Sequence, residues 1–399
     1  MSWEVEQLKQ LLVVAGETSG DMHAAHVVKK IKQQVGPLRI IGMGGSKLAR
    51  LGQQQLVSID GDSFGLGGAL FSLPSHLKRA HELLNQVESH QPEAALLVDY
   101  SGFNMYLARG LKRRGIPVVH YIPPTAWTWG KWRAKWLARQ QVKVAAIFPQ
   151  EYEVYQQAGA DVEYVGHPLA DEIDFPYDQR RYREQLEGII DNKGGEKLLP
   201  GEKVLALLPG SRPAEISEHL SPMLAAARRL QEKNYLRPII AVRAEDTRFI
   251  KKQLGKSLAE ELELIGGHTR KIMGGADLGL ITSGTATLEA ALIGCPQVVI
   301  YKPDFLTRIA ARAFLRTEFI SLPNIIAGRE IVPELVQKQA KDDIIYNEAQ
   351  KLLNENQAVL SQQQGYQEIR KELGTAGAAE KTAQLVIEAG KLDSYPEGD

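Results

Sequence analysis

The sequence predicts an α/β protein made of two doubly wound domains, each a parallel sheet covered by helices. Three observations predict it. Short aliphatic strands alternate with helical patterns in both halves, a charged stretch broken by glycine and proline separates the halves, and each half has a strand ending in small polar residues at a helix start. A chain of 399 residues with 44% apolar content suits two cores better than one.

In the first half the strand runs are Leu11 to Ala15, Arg39 to Met43, Ala94 to Asp99, Pro117 to Tyr121, Val144 to Phe148 and Val162 to Val165. The pattern resumes with Val204 to Leu208, Pro238 to Val242, Leu262 to Ile265, Leu278 to Thr282 and Gln297 to Tyr301. Between them, Pro176, Gly194, Gly195, Pro200 and Gly201 interrupt a charged segment with room for one short helix near Arg180 to Ile190. After Pro333 the chain turns polar and helical, with Ile344, Leu352, Leu353 and Leu360 near helical spacing. The expected organisation is a first domain over 1–170, a connection over 171–203 and a second domain over 204–335. The helices over 336–399 are expected to pack back on the first domain or on a partner subunit.

Lys plus Arg and Asp plus Glu both number 48, so the formal net charge is zero and no global field favours nucleic acid. Any phosphate or membrane attraction must be local. The single cysteine, Cys295, excludes an internal disulfide and fits a reducing cytoplasm; it reads as an inert core residue. Met1 to Gln10 is too polar for a signal peptide, and no run reaches the roughly 18 to 20 apolar residues of a spanning helix, so bilayer contact is expected to be peripheral.

The first strand leads into Gly16-Glu17-Thr18-Ser19-Gly20-Asp21, where glycine permits a tight turn, Ser19 or Asp21 can cap the next helix, and Glu17 projects from the loop. Backbone N–H groups and the positive end of a helix then face the ligand, which suits an anion such as a nucleotide diphosphate. Leu207 to Arg212 ends a strand in a turn and an arginine able to grip a diphosphate by two parallel hydrogen bonds. Ser283-Gly284-Thr285 opens another helix, and Glu289, four residues after Thr285, shares its face, where a carboxylate can accept ribose hydroxyls.

Asp99 ends a buried strand, the place where open α/β sheets hold ligands, and can take a proton from an attacking hydroxyl; the alternative is a carboxylate capping its own loop. Asn104 shares that loop and could orient a substrate. Tyr121 to Trp129, rich in proline and tryptophan, would form a rigid wall, with Trp127 and Trp129 suited to sugar rings or acyl chains. Trp132 and Trp136 read as core or interfacial residues. Lys131, Arg133, Lys135 and Arg139, with Arg109, Lys112, Arg113 and Arg114, make a local basic zone or simply a solvated face. Ser63 to Pro74 is apolar, glycine-rich and uncharged, so it is either buried or in contact with lipid through Phe64, Leu66, Leu70, Phe71 and Leu73. No metal site emerges: His23 and His26 lie three apart with no thiol or carboxylate set nearby in sequence. Gly42-Met43-Gly44-Gly45 lacks the last glycine of a dinucleotide fingerprint, which argues against NAD, and no cofactor is expected.

Together these motifs resemble the lipid-A-disaccharide synthase family, inverting glycosyltransferases of the two-domain GT-B architecture with a central cleft. The resemblance runs from Ala15 to Asp21 through His120-Tyr121, Trp127-Thr128-Trp129, Val165-Gly166-His167-Pro168, Leu207 to Arg212 with Glu215, and Ser283 to Glu289, to Ser321-Leu322-Pro323-Asn324. It implies metal-independent transfer of diacylated glucosamine from UDP-diacylglucosamine to the 6-hydroxyl of diacylglucosamine 1-phosphate, releasing UDP. It implies Asp99 as base with Glu17 facing the acceptor or the transferred sugar. It further implies Ser211, Arg212, Glu215, Ser283, Gly284, Thr285, Glu289 and Asn324 on the nucleotide sugar, and Gly16, Ser19, Gly20, Asp21, Asn104, Trp127, Trp129 and His167 on the acceptor side. The inner-membrane surface and a homodimer through the C-terminal helices are the implied partners. Two departures stand out: Asp99 to Asn104 lacks the family's proline and second aspartate, and Gly68 replaces a glutamate. A UDP-N-acetylglucosamine 2-epimerase or a non-catalytic nucleotide-sugar-binding protein would share the phosphate-binding turns.

Overall fold

The computed structural model describes residues 8–57, 73–127, 130–173, 177–302 and 319–393. They divide into two compact units: the residues up to Glu172 together with those from Leu373 onward, and the described residues between Ile173 and Glu372.

The first unit contains a seven-stranded sheet of β1 (Gln10–Ala15), β2 (Arg39–Met43), β3 (Gln53–Gln55), β4 (Ala94–Val98), β5 (Val118–Tyr121), β6 (Lys143–Ala146) and β7 (Val162–Tyr164). The strands lie in the order 3-2-1-4-5-6-7 and every pair is parallel. Helices cover both faces, which is why β4 reads as five consecutive aliphatic residues, all fully buried. The order reverses between β1 and β4, where Ala15 pairs with Val98, so Gly16 and Asp99 leave the sheet side by side at its carboxyl edge.

The second unit repeats the plan with β8 (Lys203–Leu208), β9 (Leu236–Val242), β10 (Glu263–Gly266), β11 (Leu278–Thr282), β12 (Gln297–Tyr301) and β13 (Glu334–Val336), ordered 10-9-8-11-12-13 and all parallel. Its reversal falls between β8 and β11, where Leu208 pairs with Ile281. The turns that follow, Pro209 to Arg212 and Ser283 to Thr285, therefore emerge together.

The segment expected as a connection is corrected in part. Its helix, Gln179–Asn192, is an integral layer of the second unit, packed on the helix Thr269–Gly275. Gly274 is what permits this approach, since a Cβ there would lie 2.3 Å from the Tyr182 ring. Arg183 fastens the contact by donating to the Gly275 carbonyl at 2.7 Å and to Asp277 at 3.1 Å. The C-terminal helices do not act as one block. Asp342–Asn354 packs on Pro213–Lys233 in the second unit, whereas Ala378–Gly390 packs on Thr18–Val35, β4 and β5 in the first. The three-residue edge strands β3 and β13 carry no aliphatic run and are invisible to hydrophobic patterning.

Candidate active site

In the first unit Asp99 and Tyr100 both adopt the left-handed backbone region, with φ of 52° and 49°. Two consecutive non-glycine residues there are strained, by about 1–3 kcal/mol each, and persist only if the surroundings enforce them. Asn104 does so: fully buried, it donates from Nδ2 to the Asp99 carbonyl at 2.7 Å and the Val98 carbonyl at 3.2 Å. Buried His120, on β5, adds a 3.3 Å hydrogen bond from Nε2 to the same Asp99 carbonyl, and burial holds its pKa down at about 4, so the ring is neutral. The Asp99 carboxyl is raised above the ordinary carboxylate range by burial, opposed by the Tyr100 backbone N–H and by the nearby His23.

The Tyr100 ring lies on Gly16, where a Cβ would come within 2.2 Å of it, stacks on Phe103 at 5.0 Å and meets His76 edge-on at 5.8 Å. Gly16 thus accommodates the ring, and Gly20 faces Asp99, whose Cβ would be 3.9 Å from a methyl placed there. Glu17 is the N-cap residue of the helix Thr18–Val35, and its charge is felt by Tyr100; Ser19 is exposed. Trp127, Phe148 and His167 form a row with ring separations of 5.7 and 4.9 Å. His167 accepts from the Leu169 N–H at 3.2 Å, and burial drives its pKa down to about 3.

In the second unit, Arg212 is the N-cap of the helix Pro213–Lys233 and its half-exposed guanidinium pairs with Glu215 at 3.0 Å. Ser283 donates its hydroxyl to the Ile320 carbonyl at 2.9 Å. Gly284, at φ 156°, and Thr285 are exposed at the start of the helix Thr285–Ile293, whose first N–H groups have no intrahelical acceptor. Glu289, one turn on, receives the Arg270 guanidinium at 3.0 Å.

Several expectations are corrected. Asp21 is buried and does not cap its own helix: its carboxylate accepts from Gly45 and Lys47 at 2.8 Å and from Leu48 at 3.2 Å, closing the turn after β2. Asn324 is saturated, with Nδ2 donating to Val332 and Glu334 and Oδ1 accepting from Ile331 and Val332, so it holds a turn and has no side-chain group left for a nucleotide sugar. Glu215 accepts from the Ser211 and Arg212 N–H groups and positions Arg212. The Ser283 hydroxyl proton is already committed, so it is not offered to a phosphate. Trp129, Phe64, Leu66, Leu70 and Phe71 lie outside the described residues, as does the Leu73 side chain, although Leu73 begins the helix Leu73–His90.

Three residues escaped sequence reading. Arg243, at the end of β9, chelates Asp246 at 2.7 and 3.0 Å and donates to the Ser211 carbonyl at 2.5 Å, bracing the Arg212 turn. Its signal is a cation directly at the carboxyl end of a buried parallel strand. Arg270 has no local signal, because its partner is 19 residues away. Glu151 is buried, and burial raises its pKa to about 8.

Among the described residues no helix is long and apolar enough to cross a membrane. The chain is similar over its whole fold to the UDP-GlcNAc 2-epimerase of Neisseria meningitidis solved with UDP-GlcNAc, at TM-score 0.64 and 13% identity, covering 95% of this chain and 100% of that one. A spinosyn rhamnosyltransferase solved with thymidine diphosphate matches at TM-score 0.54 and 15% identity, again covering 95% of this chain and 100% of that one. These likenesses establish the GT-B fold alone. Sequence relatives go further. The lipid-A-disaccharide synthase of Anaeromyxobacter dehalogenans (strain 2CP-C) is 35% identical over 384 residues, covering 95% of this chain and 97% of its own. That of Syntrophus aciditrophicus is 34% identical with the same coverage. The lipid-A-disaccharide synthetase family pattern matches residues 11–389, and the chain therefore belongs to the lipid-A-disaccharide synthase family of glycosyltransferases.

Proposed function

We propose that this glycosyltransferase moves diacylated glucosamine from its UDP derivative to the 6-hydroxyl of diacylated glucosamine 1-phosphate, with Asp99 as base. The observation that carries the reading is the strained turn at Asp99: Asn104 and His120 hold its backbone in a costly conformation at the switch point of the sheet. Asp99 takes the proton as the hydroxyl O–H bond breaks. The oxygen's electron pair forms the new bond at the anomeric carbon from the face opposite UDP, and the bond to UDP breaks with its pair leaving on the diphosphate. Configuration inverts in one displacement.

Arg212, braced by Glu215 and Arg243, and the exposed start of Thr285–Ile293 supply fixed positive potential for the leaving diphosphate. Glu289, oriented by Arg270, accepts from the ribose hydroxyls. Glu17 and the Trp127 to His167 row serve the acceptor side. Collection of acylated substrates from the inner leaflet is supported by Trp132, 60% exposed, beside Lys131, Arg133 and Lys135.

The test is UDP release with both acylated sugars. Asp99→Asn is expected to lower turnover by about 10²- to 10⁴-fold with UDP affinity retained. Near-normal turnover in a folded variant rejects Asp99 as base, and inversion of a soluble UDP-sugar without an acceptor would favour epimerase chemistry.

A further inference from the structure

We propose that His219 is a positioning residue that ties the Arg212 turn to the Ser283 turn and so fixes the spacing at which the two meet a diphosphate. The inference rests on Arg212 and the start of the helix Thr285–Ile293 being the diphosphate site. His219 lies on the helix Pro213–Lys233, one turn after Glu215. The inward stripe of this helix is otherwise apolar, with Ile216, Leu220, Met223 and Leu230 all buried. His219 shares that stripe and has no exposed surface, so packing alone does not call for an imidazole, and both ring nitrogens need partners.

Both nitrogens have one. Nε2 lies 2.9 Å from the Lys302 backbone nitrogen, and a backbone N–H can only donate, so Nε2 accepts. The ring proton is therefore on Nδ1, which donates to the Glu215 carbonyl at 2.6 Å. Burial lowers the pKa of the ring, in keeping with the neutral form that these two bonds require. The Tyr301 ring lies nearly parallel to the imidazole, 13° from its plane at 6.4 Å.

The two partners belong to the two turns. The Glu215 carboxylate accepts from the Ser211 and Arg212 N–H groups at 3.3 and 3.4 Å and from the Arg212 guanidinium at 3.0 Å. Lys302 directly follows β12, and two residues before it the Ile300 carbonyl accepts the Ser283 N–H at 3.2 Å. His219 thus closes a continuous path from Arg212 through Glu215 and Lys302 to the Ser283 turn. Arg212, Gly284 and Thr285 are themselves exposed, so core packing does not set their separation. The buried imidazole behind them does, which keeps the donors in place before a diphosphate arrives.

The experiment is calorimetric binding of UDP and of uridine to the whole chain. His219→Leu is expected to weaken UDP about tenfold, to leave uridine affinity unchanged and to cause no further loss of UDP affinity in an Arg212→Ala background. Unchanged UDP affinity, an equal loss for uridine, or the same loss without Arg212 overturns the role of His219. If His219→Leu is unfolded by circular dichroism, the histidine rings of the wild-type protein are read by nitrogen-15 resonance, with His219 assigned through its coupling to the Lys302 amide. A ring protonated on Nδ1 whose resonances move with saturating UDP but not with uridine supports the proposal. A ring protonated on Nε2, unmoved by UDP, or moved alike by uridine overturns it. Absence of UDP binding by the wild-type chain, or wild-type UDP affinity in Arg212→Ala, rejects the diphosphate site itself. Weakened UDP binding in Arg212→Ala with an unaffected His219→Leu rejects only His219.

Discussion

Glu151 shows how much one buried carboxyl can matter. It has almost no exposure, accepts the Ile147 N–H at 3.3 Å and lies beside Trp127. Its pKa of about 8 in the fold, against an ordinary value of 4.5, means the native state holds a proton that the unfolded chain gives up between those values. The resulting stability is complete below about pH 4.5 and is lost as pH rises toward 8. Glu151→Gln should therefore flatten the fall of Tm with pH and be the more stable protein above pH 8, by on the order of a few kcal/mol. Parallel melting curves from pH 5 to pH 9 check this; curves that keep a constant offset reject it. Sequence reading could see Glu151 only as a polar residue near a helix start, because its pKa comes from neighbours on other elements.

At the scale of elements, the turn after β1 and the turn after β4 are one object. Gly16 accepts the Tyr100 ring, Tyr100 stacks on Phe103, and Asn104 closes the turn behind Asp99. Gly16→Ala should push the ring out and cost about 1–3 kcal/mol. The same change made in a Tyr100→Ala background should cost much less, and a denaturation cycle measures that coupling. Equal costs in the two backgrounds would mean the ring yields freely. The position after Asp99 carries an aromatic that covers the first glycine turn. The strands themselves were legible, since β1, β2, β4, β11 and β12 announce themselves as aliphatic runs. The capping assignments were not. Asp21 and Asn324 look like ligand-facing polar residues in sequence, but each spends its hydrogen bonds on a turn that comes later in the chain.

The whole molecule has zero formal net charge, so attraction to an anionic bilayer must come from local features. Trp132 is 60% exposed, and Leu77 and Tyr106 are exposed in the same unit. Trp132→Ser is expected to weaken co-sedimentation with anionic vesicles on the order of tenfold with Tm unchanged, and Leu70→Ser with Phe71→Ser to weaken it further. Binding equal to wild type in both variants would rule out this membrane surface.

By itself the sequence determined the fold class, the position of Asp99 at the end of a buried strand and the strand-to-helix turns rich in glycine and small polar residues. Those features depend on local periodicity and on residues adjacent in the chain. Only the tertiary structure decided that Glu172 reaches His23, that Arg270 orients Glu289 and that Arg243 braces Ser211. The reason is physical: a carboxylate or guanidinium acquires its role from the charge and burial around it, and parallel strands joined by helices bring those neighbours from distant parts of the chain.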